Sequence, residues 1–86
     1  MPRIGTVELL ERIRAGRFQS VRLRALQDGT FCLLLECDDG SFIHENRDGS
    51  VKYYPNAENA LLWLKRKAAV TEVVVQTDLW KEDEQV

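Results

Sequence analysis

The sequence predicts a single small α+β domain, with elements in the order α-β-β-β-β-α-β and two helices packed on a mainly antiparallel, twisted sheet. Three observations lead to this fold class. Two segments repeat apolar residues at helical spacing, five shorter ones alternate or run apolar over strand lengths, and Asp-Gly occurs three times between apolar runs. At 86 residues the chain can support one modest core, so we expect one domain over residues 1–86.

The first helix is predicted to begin at Thr6 as its N-cap, with Glu8 in the first turn, and to stop at Gly16. Its apolar stripe is formed by Val7, Leu9, Leu10 and Ile13. A helix of about ten residues is marginal in isolation, so this stripe must dock on the rest of the fold.

Four strand candidates follow the first helix. Residues 21–25 alternate Val, Leu and Ala with two arginines, which is typical of a strand with one solvated face. Residues 31–35 are apolar throughout, which indicates a central strand covered on both faces. Residues 42–44 and 51–54 are shorter candidates.

The three Asp-Gly pairs lie between these strands, at Asp28-Gly29, Asp39-Gly40 and Asp48-Gly49. Asp-Gly suits the type I′ hairpin turn, in which both central residues need a positive φ. We therefore predict a four-stranded antiparallel meander whose turns are centred on these pairs. Pairing around Asp39-Gly40 would set Cys37 opposite Phe42.

Pro55 and Asn56 are predicted to end the last of these strands and to cap a second helix. Its stripe of small and apolar residues would press it closely onto the sheet; the stripe comprises Ala57, Ala60, Leu61, Leu64 and Ala68. Lys65, Arg66 and Lys67 offset the dipole at its C-terminal end. A final edge strand is predicted over residues 71–76, and residues 79–86 are predicted to fray as an acidic tail.

The net charge of −2 is unevenly distributed along the chain. Residues 1–25 carry +4 and residues 61–70 carry +3, whereas residues 26–60 and 71–86 carry −5 and −4. This distribution allows a basic patch but not a basic protein. No apolar run approaches the roughly 18 residues of a membrane helix, and no basic-then-apolar leader opens the chain. We therefore expect a cytoplasmic protein with no membrane partner.

The two cysteines and the single histidine predict neither a disulfide nor a metal site. On one strand, Cys32 and Cys37 would face opposite sides about 17 Å apart, beyond disulfide reach. With His44 they make three candidate ligands, short of the four that structural zinc sites use. We expect reduced, buried thiols and no cofactor. Ser41 would point away from His44 on the same strand, and the register around Asp39-Gly40 would set Cys37 opposite Phe42 rather than His44, so we expect no enzymatic activity and keep an enzyme as the least favoured alternative.

A nucleic-acid interface is the alternative function that the arginines suggest. The candidate contacts lie on the first helix and first strand: Arg12, Arg14, Arg17, Arg22 and Arg24. Sheets that read DNA carry basic and polar side chains on several adjacent strands. Here Glu36 and Glu45 occupy the following strands and would neutralise the footprint, so nucleic acid is the less favoured partner.

The favoured interpretation is a non-enzymatic module that binds a protein partner or itself. Trp63 lies beside the helical stripe, and Tyr54 and Trp80 add more aromatic surface than a small core holds. We expect these three residues to be candidate protein contacts, although Trp63 packing at the sheet margin is an equal alternative. An exposed sheet edge is the second option for the contact surface. A partner subunit is one source of cover for the second face of the all-apolar strand.

The segment NAENALLWLKRK, which leads to VTEVVVQ and a short end at Asp78-Leu79-Trp80, completes a layout of helix, alternating strand and meander. In this layout the chain resembles a family of short, uncharacterised gammaproteobacterial proteins of the pseudomonad type. The charged residues Lys81 to Glu84 depart from the more apolar ending of that family. The resemblance implies a bacterial, cytosolic, single-domain protein and supplies no activity or site residue.

Overall fold

The architecture is a six-stranded sheet with two helices, seen in a computed structural model that describes residues 1–80. Most of the predicted frayed tail, residues 81–86, lies outside the described part of the chain. The elements are β1 (Arg3–Ile4), α1 (Thr6–Arg14), β2 (Ser20–Ala25), β3 (Phe31–Cys37), β4 (Gly40–His44), β5 (Tyr53–Tyr54), α2 (Ala57–Ala68) and β6 (Val74–Gln76). The predicted α+β class is confirmed, with the short strand β1 as an addition to the predicted order.

The sheet is mixed, in the order β1-β4-β3-β2-β6, with β5 paired to β3. The pairs of β3 with β2, β4 and β5 are antiparallel, whereas the outer strands β1 and β6 pair in parallel with β4 and β2. β4 and β5 both run along the same edge of β3, and the chain between them makes a hairpin excursion closed by a bridge between Glu45 and Val51. The final strand, β6, pairs only with β2 and so lies at an edge of the sheet, as the sequence predicted.

The turns differ from the predicted type I′. Gly29, Gly40 and Gly49 have positive φ, but Ala69 is the only non-glycine residue with positive φ in residues 1–80, so the aspartates before these glycines do not adopt it. In the first and third turns, the aspartate carboxylate instead accepts hydrogen bonds from the residue after the glycine. Both loops are closed by the same pair of backbone hydrogen bonds, which indicates a three-residue hairpin loop with glycine as its left-handed residue.

The middle turn is also offset from the predicted register. Cys37 pairs with Gly40 and Leu35 pairs with Phe42, so the turn is centred on residues 38–39. The predicted opposition of Cys37 and Phe42 is therefore wrong by two residues, an offset that leaves each side chain on the same face of the sheet.

Both helices pack on the same face of the sheet, where the core lies. The core cluster joins apolar side chains of β2 and β3 to the buried positions of the helices; it includes Leu9, Ile13, Val21, Leu23, Leu33, Leu35, Ala60 and Leu64. Cys37 belongs to this cluster, whereas the buried Cys32 does not, which fits their predicted placement on opposite faces. The described cysteines are both free thiols.

Two helix details correct the sequence-based expectations. Gly5, not Thr6, is the N-cap of α1, and Val7 is 73 % exposed, so the buried stripe of α1 consists of Leu9 and Ile13. In α2, Leu61 is exposed while Trp63 packs against the core. The predicted cap of α2 is confirmed, because the side chain of Asn56 accepts a hydrogen bond of 2.8 Å from the amide of Asn59.

The second face of the sheet carries no helix. Cys32 and Leu34 are nevertheless buried there, between the arginine-bearing strand β2 on one side and β4 and β5 on the other. The aliphatic parts of Arg22 and Arg24, which lie directly across from Leu34 and Cys32, can cover these apolar neighbours while their guanidinium groups pair with Glu36 and Asp78. A partner subunit is therefore not needed to bury the centre of β3.

Candidate functional site

A buried polar cluster centred on His44 joins both helices to the sheet. His44 is fully buried; its Nε2 lies 2.8 Å from Oγ1 of Thr6, and its Nδ1 lies 3.2 Å from the hydroxyl of Tyr54. The ring of Trp63 lies 5.3 Å from the His44 ring, centroid to centroid, and 6.4 Å from the Tyr54 ring. These four residues come from α1, β4, β5 and α2, so one imidazole connects four elements of the fold.

The electrostatics of this cluster favour neutral groups. Burial, with a smaller contribution from the charge of Lys52, lowers the pKa of His44 to about 4. Burial likewise raises the pKa of Tyr54 to about 12. Both rings are therefore uncharged near neutral pH, and every polar atom of the imidazole has a partner. Such a satisfied polar network stabilises one arrangement of its elements.

The Thr6–His44 pair has the atoms of a nucleophile and a base, but His44 has neither the pKa nor the orienting partner that a catalytic base needs. Thr6 is exposed beside a shallow cleft of about 470 Å³ formed by residues 5–8 and 45–47. A general base works best with a pKa near the working pH, and His44, with a pKa of about 4, is far less basic than an ordinary histidine. Its other nitrogen contacts a phenol rather than a carboxylate. The arrangement therefore supports a structural link between α1 and the sheet.

Thr6, His44 and Tyr54 are brought together although they are far apart in the chain. The sequence-based reasoning missed this cluster, because no local spacing connects an N-terminal threonine with residues of two separate strands. The sequence predicts Tyr54 to be a candidate protein contact, but its side chain is only 5 % exposed in the structure. Its predicted role as an exposed protein contact is corrected by this burial. Trp63 is half-buried against the core, which matches the alternative of packing at the sheet margin.

The helical arginines make local ion pairs and hydrogen bonds. Arg12 lies 3.0 Å from the carboxylate of Asp39 and stacks over the ring of Phe42, at 4.7 Å from the ring centroid. Arg14 donates a hydrogen bond of 2.7 Å to the carbonyl of Lys67. The neighbouring guanidinium lowers the pKa of Asp39, so this contact is charged at neutral pH. These arginines fasten α1 to the β3–β4 turn and to the end of α2.

The strand arginines face the other side of the sheet. Arg22 lies 3.2 Å from Glu36, and Arg24 lies 2.9 Å from Asp78. The five candidate nucleic-acid contacts are thus divided between the helix-bearing face and the open face, rather than forming one patch. Arg17 is exposed on the loop after α1. Acidic partners on both faces reduce the positive potential that phosphate binding requires.

Strand β6 is an exposed edge of the sheet. Val74 and Val75 are 45 % and 47 % exposed, and Leu79 and Trp80 are exposed directly after the strand. Trp80, at 56 %, follows a turn in which its amide donates to the carbonyl of Thr77. The exposure predicted for Trp80 is therefore seen, four residues after the end of β6. We refer to Val74, Val75, Leu79 and Trp80 as the β6 edge patch.

An open groove lies on the inner side of this edge. Its volume is about 730 Å³, and it runs between the chain from Ala68 to Val74 and the beginning of β2, with Ile13 and Phe18 in its lining. It exists because pairing of β6 with β2 begins only at Val74, whereas the sequence predicted a strand from residue 71. Accessible apolar surface thus continues from the β6 edge patch towards the helices.

The chain matches no protein-family model, and no curated protein is significantly similar to it. Within residues 1–80, no group of three or more His, Cys, Asp or Glu side chains is arranged to hold a metal ion. No helix in the same range is long and apolar enough to cross a membrane.

Proposed function

We propose that this protein is a non-catalytic interaction module, and that an extended segment of a protein partner binds it by adding a strand to β6. The observation that carries the proposal is the β6 edge patch, in which two valines of an edge strand are almost half exposed. An edge strand offers unpaired backbone N–H and C=O groups, which give affinity, and exposed side chains, which give selectivity.

The contrast between the two edges of the sheet supports this proposal. β1 is two residues long, is preceded by Pro2, and its Arg3 donates a hydrogen bond to the carbonyl of Gly49. Proline, charge and shortness are features that protect an edge from further pairing. Strand β6 is also short, at three residues, but it contains neither proline nor charge: its residues are Val74, Val75 and Gln76, and they follow another valine, Val73.

The aromatic anchor of the proposed interface is Trp80. Large aromatic side chains dominate the binding free energy of protein interfaces, and Trp80 is the aromatic residue of the β6 edge patch. The resemblance to short bacterial proteins favours a bacterial cytoplasm as the setting. Nucleic acid is the less favoured partner because Arg12, Arg22 and Arg24 are already paired with acidic side chains.

The proposal is tested by affinity capture with matched variants. Wild-type protein, Val75→Lys and Val7→Lys are immobilised separately and exposed to the same bacterial lysate. Val7 is a matched control, because it is an equally apolar residue that is 73 % exposed on α1. We expect the wild type and Val7→Lys to retain the same protein and Val75→Lys to lose it, since a lysine blocks strand addition. Equal capture by all three would overturn the proposal.

A further inference from the structure

We infer that the segment that adds to β6 is the β6 of a second copy, paired antiparallel about a two-fold axis at Val74. This inference rests on the proposed function and names its partner. Such an isologous contact would join two six-stranded sheets into one continuous sheet. Its support comes from the register, the two faces of the sheet and the charges that flank β6.

The register centred on Val74 is the most complementary of the symmetric registers. A two-fold axis perpendicular to the sheet keeps each face on its own side, so the axis must pass through a residue rather than between two. With the axis at Val74, this residue meets its own copy, Val75 meets Val73, Gln76 meets Glu72 and Thr77 meets Thr71. No like charges face each other, and an amide lies opposite a carboxylate.

The neighbouring registers are worse. An axis at Val75 sets Glu72 opposite Asp78 twice, once on each side, and like charges opposite each other destabilise strand pairs. An axis at Val73 sets Glu72 opposite Val74, which leaves a carboxylate against an apolar side chain. We therefore assign the axis to Val74.

The side chains on the two faces also fit. Leu23, a core residue, pairs with Val75, so Val75 points to the helix face, where the half-buried Val73 already packs against the core. In the Val74 register, Val75 of the second copy lies beside Val73 and extends the core across the contact. Val74 pairs with Arg22 and lies on the open face, where it meets its counterpart on the axis.

The charges around β6 favour an antiparallel arrangement. The chain before β6 contains the basic end of α2, Lys65 to Lys67, with a charge of +3. The chain directly after β6 contains the acidic residue Asp78. Antiparallel pairing brings the basic end of one copy towards the acidic end of the other on both sides of the axis. Parallel pairing would bring like charges together.

Short strands predict a weak dimer, because the contact falls below the area of a standard stable interface. We test it by sedimentation from about 5 to about 500 µM, a range that covers weak association. Wild-type protein should shift from one chain mass towards two. Val74→Lys and Val74→Glu should each remain monomeric, because each sets two like charges on the axis. An equimolar mixture of the two should regain the dimer, because lysine then faces glutamate.

Each outcome decides a specific point. A wild type that stays monomeric at every concentration overturns the self-pairing, and the capture experiment with Val75→Lys still judges the proposed function separately. A dimer that forms equally in Val74→Lys overturns the assigned contact. Should the variants fold poorly by circular dichroism, hydrogen exchange of the wild type decides: protection of amides in residues 72–76 must increase with concentration, and unchanged protection overturns the inference.

Discussion

Acidification acts on this protein first through His44, which is buried without charge. Its pKa is about 4 in the folded protein and 6.5 for an ordinary histidine, so the unfolded chain binds a proton at a higher pH than the folded one. Burial of the neutral His44 ring contributes fully to the free energy of unfolding above pH 6.5, and this contribution is lost as the pH falls from 6.5 towards 4. The two pKa values correspond to about 3 kcal/mol of unfolding free energy, a large fraction of the stability of a small domain.

The assay is urea denaturation at several pH values between 7 and 4, followed by tryptophan fluorescence, because Trp63, one of the two tryptophans, lies against the His44 ring. We expect the wild type to lose about 3 kcal/mol over this range and His44→Gln to lose less than about 1 kcal/mol, because glutamine does not titrate. The comparison of slopes does not depend on the absolute stability of the variant.

The carboxylates act in a lower pH range and do not obscure this result. Hydrogen bonds from Thr30 lower the pKa of Asp28, those from Ser50 lower that of Asp48, and Arg12 lowers that of Asp39. The contribution of these three carboxylates to the free energy of unfolding is present above their ordinary pKa of 3.8 and is lost as the pH falls below it. Equal losses for wild type and His44→Gln between pH 6.5 and 4 would refute the assignment of this acid sensitivity to His44.

Three further predictions concern other parts of the molecule. Ala69→Gly should raise the free energy of unfolding by about 0.5–1 kcal/mol in thermal denaturation, because Ala69 ends α2 in the left-handed conformation with φ 53°. The control Ala68→Gly lies inside α2 and should lower it; a gain there too would contradict the reasoning. Tyr54 should ionise near pH 12 by ultraviolet absorbance, with stability falling between pH 10 and 12; a step that persists in Tyr54→Phe would contradict its assignment. The protein should not shift the electrophoretic mobility of duplex DNA at low salt, because Arg22 and Arg24 are paired with acidic side chains. Salt-sensitive binding that Arg22→Ala with Arg24→Ala abolishes would instead support the nucleic-acid alternative.

Features of the fold that depend on local chemistry could be predicted from the sequence. Asn56 can satisfy the free amides of a helix start by itself, so the beginning of α2 was readable from a few residues. Each Asp-Gly pair marked a turn, because glycine adopts a positive φ at little cost. The turn type could not be predicted from the sequence. Asp28 can adopt the left-handed conformation or accept a hydrogen bond from the amide of Thr30, and the loop around it decides which.

Features that depend on partners distant in sequence could not be predicted. The apolar spacing in α1 predicted that Val7 would be buried. In the structure only Leu9 and Ile13 are buried, because the position of the sheet decides which face of the helix is covered. Trp63 was equally consistent with core and contact until the ring of His44 was found against it. The short strand β1 has two residues and no pattern of its own, so its pairing with β4 is visible only in three dimensions.

The parallel pairing of β2 with β6 has a consequence for how the chain folds during synthesis. Arg22 pairs with Val74, so the outer side of β2 stays unpaired until residues 74–76 have emerged from the ribosome. At about 5–20 residues per second, this interval lasts for seconds. During it the outer edge of β2, in which apolar residues alternate with Arg22 and Arg24, is open to wrong partners. A truncation before residue 74 would make that exposure permanent, so the last strand is also the element that protects the nascent protein from aggregation.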